Sequence, residues 1–196
     1  SRFSEEEDGF SIDPSIPIPV ELPPEATSLD LESLSWEMII SGMLKVIISS
    51  NNRENELSEE DVNYYRRFVL AVKPDIRAEF SQAAILKSRN REFPLALEIL
   101  AALEALFPGD GQTILNSAII ADEWAQRAEE TQDEEEAAER ETMAFTAWKR
   151  VLSLDPPFSP AFYSAAFFYM RLNNFSKARE CLARFVDLSD DTKRIQ

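Results

Sequence analysis

The chain has 196 residues, 44% of them apolar, and its 36 acidic and 20 basic side chains give a net charge of −16. This charge disfavours nucleic acids and anionic membrane surfaces as partners, since both are bound first through Lys and Arg. The sequence has no histidine, four glycines and one cysteine, Cys181, which excludes histidine-based triads, Gly-rich phosphate loops, internal disulfides and Cys-rich zinc sites.

Residues 1–30 are acidic at first and then rich in proline. Five prolines fall between Pro14 and Pro24, and because proline removes backbone donors and breaks helices, this arm should be extended. Its apolar side chains alternate, which predicts that residues 12–24 pack on helices of the same chain or of a neighbouring one. A plain flexible linker is the alternative. The alternating residues are Ile12, Ile16, Ile18, Val20 and Leu22.

From residue 31 onward the pattern is helical. The apolar stretch from Leu34 to Ile48 carries Glu37 and Lys45 and is too short to span a membrane, so it indicates a buried helix. The predicted helices cover residues 30–50, 58–72, 76–90, 93–106, 112–131, 134–154, 159–172 and 175–188. The breaks between them are predicted at Ser58, Pro74, Pro108, Pro156 and Asn173. The sequence therefore predicts an all-α protein of stacked antiparallel helix pairs.

An internal repeat links the segments of the second half of the chain. Apolar and small residues of the segment that ends at Pro108 recur 82 positions later. A segment between them begins 34 residues after the first, as from Ala84 to Ala118, and ends 34 residues before the last, as from Ala144 to Ala178. That spacing is interrupted once, by 14 additional residues between Ala118 and Ala144. Pairs at the spacing of 82 are Phe80 and Phe162, Ala84 and Ala166, and Ala96 and Ala178.

With this period the sequence resembles the tetratricopeptide repeat family, whose unit is a helix–turn–helix of 34 residues. The family's aromatic residue at position 4, small residues at 8 and 20 and proline at 32 correspond to Phe80, Ala84, Ala96 and Pro108. Two departures are the large residues Leu103, Val151 and Phe185 at position 27, and Asp190 in place of the last proline. The resemblance implies a right-handed α-solenoid of three to four helix pairs, over residues 33–76, 77–110, 111–158 and 159–192.

The resemblance also implies a concave groove that binds proteins or peptides, lined by positions 2, 5, 9 and 12 of each first helix. Most of these positions are apolar here, although Asp122 occupies one of them. The Lys, Arg and Asn with which the family clamps a peptide carboxylate are missing, so that version is rejected. For Phe167 and Met170 a core position is the alternative. The predicted protein-binding residues are Ile85, Leu115, Ile119, Tyr163, Phe167 and Met170.

Residues 129–141 contain eight acidic residues and one basic residue, and they coincide with the 14-residue insertion. We expect the insertion to lengthen two helices into an acidic hairpin. A solvated extension and a contact for a basic partner are the two interpretations. Calcium is disfavoured, because carboxylates along a helix do not wrap around an ion.

These features predict a non-catalytic scaffold that binds a protein or peptide segment and has no catalytic residue, cofactor or metal ion. The alternative is a structural subunit that forms homo-oligomers through the N-terminal arm and the C-terminal helix, because Ser189–Gln196 is too short to cover that helix. A hydrolase with paired carboxylates is disfavoured, since no enclosing pocket is evident. No integral membrane segment is expected. The compartment stays open between a cytoplasmic protein and the exported part of a tethered one.

Overall fold

The computed structural model describes residues 10–23, 31–51, 57–130 and 134–194, and within these ranges it contains helices and no β-strand. The predicted all-α class is confirmed, and each predicted helix is present. The helices are α1 (Trp36–Asn51), α2 (Glu59–Val72), α3 (Ile76–Arg89), α4 (Phe93–Leu106), α5 (Gly111–Glu129), α6 (Glu134–Leu152), α7 (Ser159–Arg171) and α8 (Phe175–Arg194), preceded by a 3-10 turn at Leu31–Ser33.

The largest differences from the predicted boundaries are at the two ends of the helical region. Helix α1 begins at Trp36 rather than at residue 30, because the first residues form the 3-10 turn. Helix α8 continues to Arg194 through residues that the sequence suggested as the start of another helix. Internal boundaries agree within a few residues, because capping side chains define them: the Ser58 hydroxyl accepts from the Asp61 amide at 3.1 Å at the start of α2.

The described residues form two compact units, one drawn from residues 1–82 and 101–107 and the other from 83–100 and 108–196. The division crosses α3 and α4 and therefore does not follow the boundaries of the predicted repeats. In neither unit is a described helix both long enough and apolar enough to cross a membrane.

In the first unit, residues 10–23 lie against α1 and α2. The Glu21 amide donates to the Met38 carbonyl at 2.9 Å, and the Tyr65 hydroxyl donates to the Pro17 carbonyl at 2.8 Å. The Phe10 ring lies 5.1 Å from the rings of Tyr64 and of Phe68, between ring centroids. The segment is thus attached through its backbone as well as through side chains.

The predicted packing of the arm on helices of its own chain is confirmed for residues 12–23, whereas residues 1–9 and 24–30 lie outside the described part. Burial is uneven, because Ile16, Val20 and Leu22 are partly buried while Ile12 and Ile18 are exposed. These contacts involve α1 and α2, which carry none of the six predicted protein-binding residues.

The second unit contains two packed helix pairs, α5 with α6 and α7 with α8. Their common core is dominated by alanine, with Trp148 and Phe168 as its largest members. Small side chains at helix crossings let the backbones approach closely. The alanines of this core are Ala118, Ala121, Ala125, Ala144, Ala161, Ala165 and Ala166.

The turns that join α3 to α4 and α7 to α8 have the same hydrogen bonds 82 residues apart. Arg91 and Asn173 adopt left-handed conformations, with φ of 64° and 56°. In each turn the backbone amide of this residue donates to the carbonyl three residues earlier. The amide of the next residue donates to the carbonyl five residues before it. Together these two hydrogen bonds define a Schellman motif. The bonds are Arg91 to Ser88, Glu92 to Lys87, Asn173 to Met170 and Asn174 to Tyr169. The sequence spacing of 82 therefore corresponds to a repeated backbone structure.

Ala96 and Ala178 are buried as predicted, and this burial gives a test of the close helix crossings. We expect Ala96→Leu and Ala178→Leu each to destabilise the protein by about 1–3 kcal/mol, because extra methyl groups overpack the crossing. Chemical denaturation followed by circular dichroism measures the change. The exposed Ala101 and Ala183 supply the controls, since leucine there should change stability by less than about 0.5 kcal/mol. Equal effects at buried and exposed alanines would contradict the assignment.

Gly42 gives a test of the arm. A Cβ added at Gly42 would lie 2.6 Å from the Pro19 carbonyl oxygen and 2.8 Å from the Val20 Cα. Gly42→Ala should therefore displace the arm and remove hydrogen-exchange protection from the Glu21 amide. Ser41→Ala, at the neighbouring position, should preserve that protection. If the arm did not pack here, Gly42→Ala would instead stabilise α1 by roughly 0.5–1 kcal/mol and leave Glu21 unaffected.

Candidate protein-binding site

Three of the predicted protein-binding residues lie on exposed parts of α5 and α7. Tyr163 and Phe167 are 47% and 53% exposed, and their ring centroids are 5.1 Å apart at edge-on geometry. Ile119 on α5 is 41% exposed. Solvent-exposed aromatic residues in mutual contact are typical of interaction surfaces.

The other three predicted residues are placed differently. Leu115 is only 4% exposed and belongs to the alanine-rich core, which corrects its expected position on an open groove. The reason is its place near the start of α5, where side chains of α6 and α7 join the same buried cluster. Ile85 on α3 is exposed and Met170 on α7 is partly buried, and neither lines the cavity described next.

A cavity of about 390 Å³ that is open to solvent lies between α5, α6 and α7. Ile119 and Phe167 lie on its wall and are also exposed, so they connect the cavity to the outer surface. The full lining consists of Ile119, Asp122, Gln126, Trp148, Ser164, Phe167, Phe168 and Arg171. The cavity therefore has an apolar side and a polar side.

The polar side is built around Arg171, the last residue of α7. Its Nη2 donates to Asp122 Oδ1 at 2.5 Å, and its Nη1 donates to Glu129 Oε1 at 3.1 Å. The Asp122 side chain is largely buried, while that of Glu129 is open to solvent. One guanidinium thus holds two carboxylates of α5 and ties the end of α7 to that helix.

Burial raises the pKa of the Asp122 carboxyl above its usual value. Arg171, and a hydrogen bond from the Gln126 side chain, act in the opposite direction by stabilising the carboxylate. The loss of hydration outweighs both of these effects on the pKa, because little of the Asp122 side chain is open to water. Additional negative charge at this end of the cavity is therefore unfavourable.

The inserted part of α5 extends this polar side. Asp122, Gln126 and Glu129 follow one another at steps of four and three residues, so they share one face of the helix. Gln126 and Glu129 belong to the additional residues that lengthen α5 and α6 to 19 residues each, as predicted for the acidic hairpin, whereas Asp122 occupies a regular position of the repeat. Residues 131–133 of that hairpin lie outside the described part.

The opposite face of the inserted segment is held by an aromatic stack. The ring of Trp124 lies against that of Phe93, with centroids 6.1 Å apart and planes inclined by 18°. The Arg140 guanidinium of α6 lies 4.0 Å from the Trp124 centroid, at cation–π distance. The base of the hairpin is therefore packed structure and not only a solvated extension.

Trp148 also lines the cavity and is stacked on Phe168, with ring centroids 5.4 Å apart. Its Nε1 and the Nε of Arg171 are buried and donate to no atom of the described chain. Sequence reasoning did not select Trp148, Gln126 or Arg171 as site residues. The arginine could not have been found from its position, because only the helix packing shows that it reaches α5.

The chemistry of these side chains suits binding. Within the described residues, no group of three or more His, Cys, Asp or Glu side chains is placed to hold a metal ion. Cys181 lies in the core, and burial raises the pKa of its thiol, which disfavours the reactive thiolate. The arrangement therefore offers a cavity with an apolar wall, formed by Ile119 and Phe167, and an ion-paired rim, formed by Asp122, Glu129 and Arg171.

Comparison with known proteins finds no matching family model, no matching curated protein and no matching solved structure.

The pKa of Asp122 provides a test of the polar side. Because the pKa of Asp122 is raised in the folded state, that state binds the proton more tightly than the unfolded state does. The contribution of Asp122 to the free energy of unfolding therefore increases as pH falls. Arg171→Met should raise the pKa of Asp122 further, since the opposing positive charge is lost. Side-chain carbon NMR across a pH titration measures both values. Lys177→Met removes an equal charge from α8 and should leave Asp122 unchanged. A wild-type pKa below the usual aspartate value would contradict this account.

Proposed function

We propose that this chain is a non-catalytic scaffold of stacked helix pairs, of the tetratricopeptide repeat type, that binds a protein or peptide segment across α5 and α7. The observation that carries the proposal is the exposed pair Tyr163 and Phe167 beside the cavity that Phe167 itself lines. An exposed aromatic pair next to a concave apolar wall can anchor a partner side chain in a desolvated position.

The repeat type is supported by features at equivalent positions. Buried alanines occur at the predicted helix crossings, among them Ala84, Ala96 and Ala178. The Schellman turns at Arg91 and Asn173 have matching hydrogen bonds. Repetition of both a side-chain pattern and a backbone turn is what duplicated helix–turn–helix units are expected to retain.

Binding is favoured over catalysis by the state of the polar groups in the cavity. Asp122 is the carboxylate on the cavity wall within the described residues, and it is already engaged by Arg171 and Gln126. Carboxyl-based hydrolysis requires a second carboxyl at a defined distance across a cleft. The other carboxyl bound by Arg171, that of Glu129, lies on the same helix as Asp122 and not across a cleft from it.

A second candidate function, assembly with further copies, is favoured by α8. Its residues Phe175, Leu182 and Val186 are exposed and lie on one face at steps of seven and four residues. The equivalent of Phe175 in the earlier repeat is Phe93, which is only 4% exposed because Trp124 stacks on it, whereas Phe175 is 65% exposed. A helix pair of the same or another chain would cover this face in the same manner.

Peptides selected from a random display library on the full chain would distinguish the two functions. For a selected peptide, Phe167→Ala and Tyr163→Ala should each weaken binding at least about tenfold, as expected for central aromatic anchors. Phe175→Ala removes an exposed phenylalanine from α8 and should leave peptide affinity unchanged. Fluorescence anisotropy measures the affinities, and sedimentation measures the oligomeric state of each variant.

The assembly function predicts the reverse pattern. Wild-type chain would then sediment as an oligomer that Phe175→Ala dissociates, and Phe167→Ala would affect neither mass nor peptide affinity. Equal loss of peptide affinity in the Phe167 and Phe175 variants would contradict a binding site located on α5 and α7.

A further inference from the structure

The cavity between α5, α6 and α7 also indicates what kind of segment it takes, an inference that rests on the proposed function and deepens it. Its lining contains one carboxylate, Asp122, and one guanidinium, Arg171, and Arg171 also binds Glu129, which lies next to the cavity and not on its wall. The next basic residue along α5, Arg127, is itself paired with Glu130 at 3.3 Å. These pairs contain three carboxylates and two guanidinium groups, so one negative charge is left uncompensated within them.

An anionic ligand is disfavoured at this rim because two carboxylates already share one guanidinium there. Each terminal nitrogen of Arg171 donates to one of these carboxylates, and the N–H donors that lack a partner, Nε of Arg171 and Nε1 of Trp148, are buried. An incoming carboxylate or phosphate would have to share Arg171 with Asp122 and Glu129 and would lie beside both acids. Like charges at such distances repel, and the buried position of Asp122 strengthens that repulsion.

A cationic group is favoured by the same geometry. Glu129 is bonded to Arg171 through Oε1, and its side chain is open to solvent, so it can accept a second cation without breaking the first pair. The apolar wall formed by Ile119 and Phe167 begins on the same two helices, α5 and α7. Phe167 and the Arg171 that binds Glu129 lie one turn apart on α7, so a segment that carries an apolar group near a cation can contact both sides.

We propose that the cavity selects a segment that presents an aromatic or branched aliphatic side chain close to a Lys or Arg. The apolar side chain enters between Ile119 and Phe167, and the cation pairs with Glu129 at the rim. The inserted turn of α5 thus determines the charge preference, because it supplies Glu129, whereas the apolar wall supplies the anchor.

Three small probes that share a phenyl ring test the charge preference directly: 2-phenylethylammonium, 2-phenylethanol and 3-phenylpropionate. Titrated into the full chain, the ammonium should shift the amide NMR signals of Ile119 and Phe167 and bind about threefold to tenfold more tightly than the alcohol. The propionate should bind more weakly than the alcohol. The preference for the ammonium should decrease as salt is raised, since the rim is open to solvent.

Two matched substitutions locate the preference. Glu129→Gln should make the affinities of the ammonium and the alcohol nearly equal. Glu130→Gln removes the same charge one residue later and should leave the difference between the two affinities unchanged. Glu130 is paired with Arg127 and not with Arg171. Circular dichroism of both variants verifies that α5 and α6 are intact.

The remaining outcomes separate this inference from the proposed function. Equal binding of the three probes at Ile119 and Phe167, or a preference for the propionate, would overturn the cation selectivity and leave the binding site in place. A preference that survives in Glu129→Gln would overturn the assignment to this rim. If no probe shifts the signals of Ile119 and Phe167, both the inference and the principal support for the proposed function are lost.

Discussion

The close approach of α5, α6 and α7 at buried alanines is the constraint on which the second unit depends. Ala118, Ala144 and Ala166 are fully buried, and alanine adds almost no volume between two helix backbones. Trp148 and Phe168, the largest members of this core, also line the cavity. The alanine-rich core and the cavity wall therefore share these two aromatic side chains.

The insertion adds chemistry to this framework without interrupting it. Alanines at positions 121, 125 and 128 continue the packed face of α5, while Trp124 is stacked between Phe93 and Arg140. The third face carries Asp122 and Glu129 to Arg171. Because a helix repeats its faces every three to four residues, the added segment can continue the packed face through Ala125 and Ala128, form a stack through Trp124 and form an ion pair through Glu129.

Periodicity in the sequence predicts the helices and their small crossing residues well, since both depend on local spacing. Ala96, Ala178 and the turn at Asn173 are placed as predicted for that reason. Leu115 was wrongly predicted to line an open groove. Its position in the repeat indicates which way the side chain faces, but not how deeply neighbouring helices bury it. Arg171 was missed because its pairing with Asp122 depends on how α7 packs against α5, and local spacing along one helix carries no information about the neighbouring helix.

Charge and shape have separable consequences at this site. Residues 129–141 carry eight of the 36 acidic side chains in 13 positions, so under the proposed function their field would accelerate encounters with basic segments at low salt. That field would not distinguish one basic segment from another. Discrimination would require contacts that exclude water, which a bound segment would make with the cavity-lining Ile119, Phe167 and Asp122. Salt should therefore act mainly on the association rate, while substitutions in the apolar wall should act mainly on the dissociation rate.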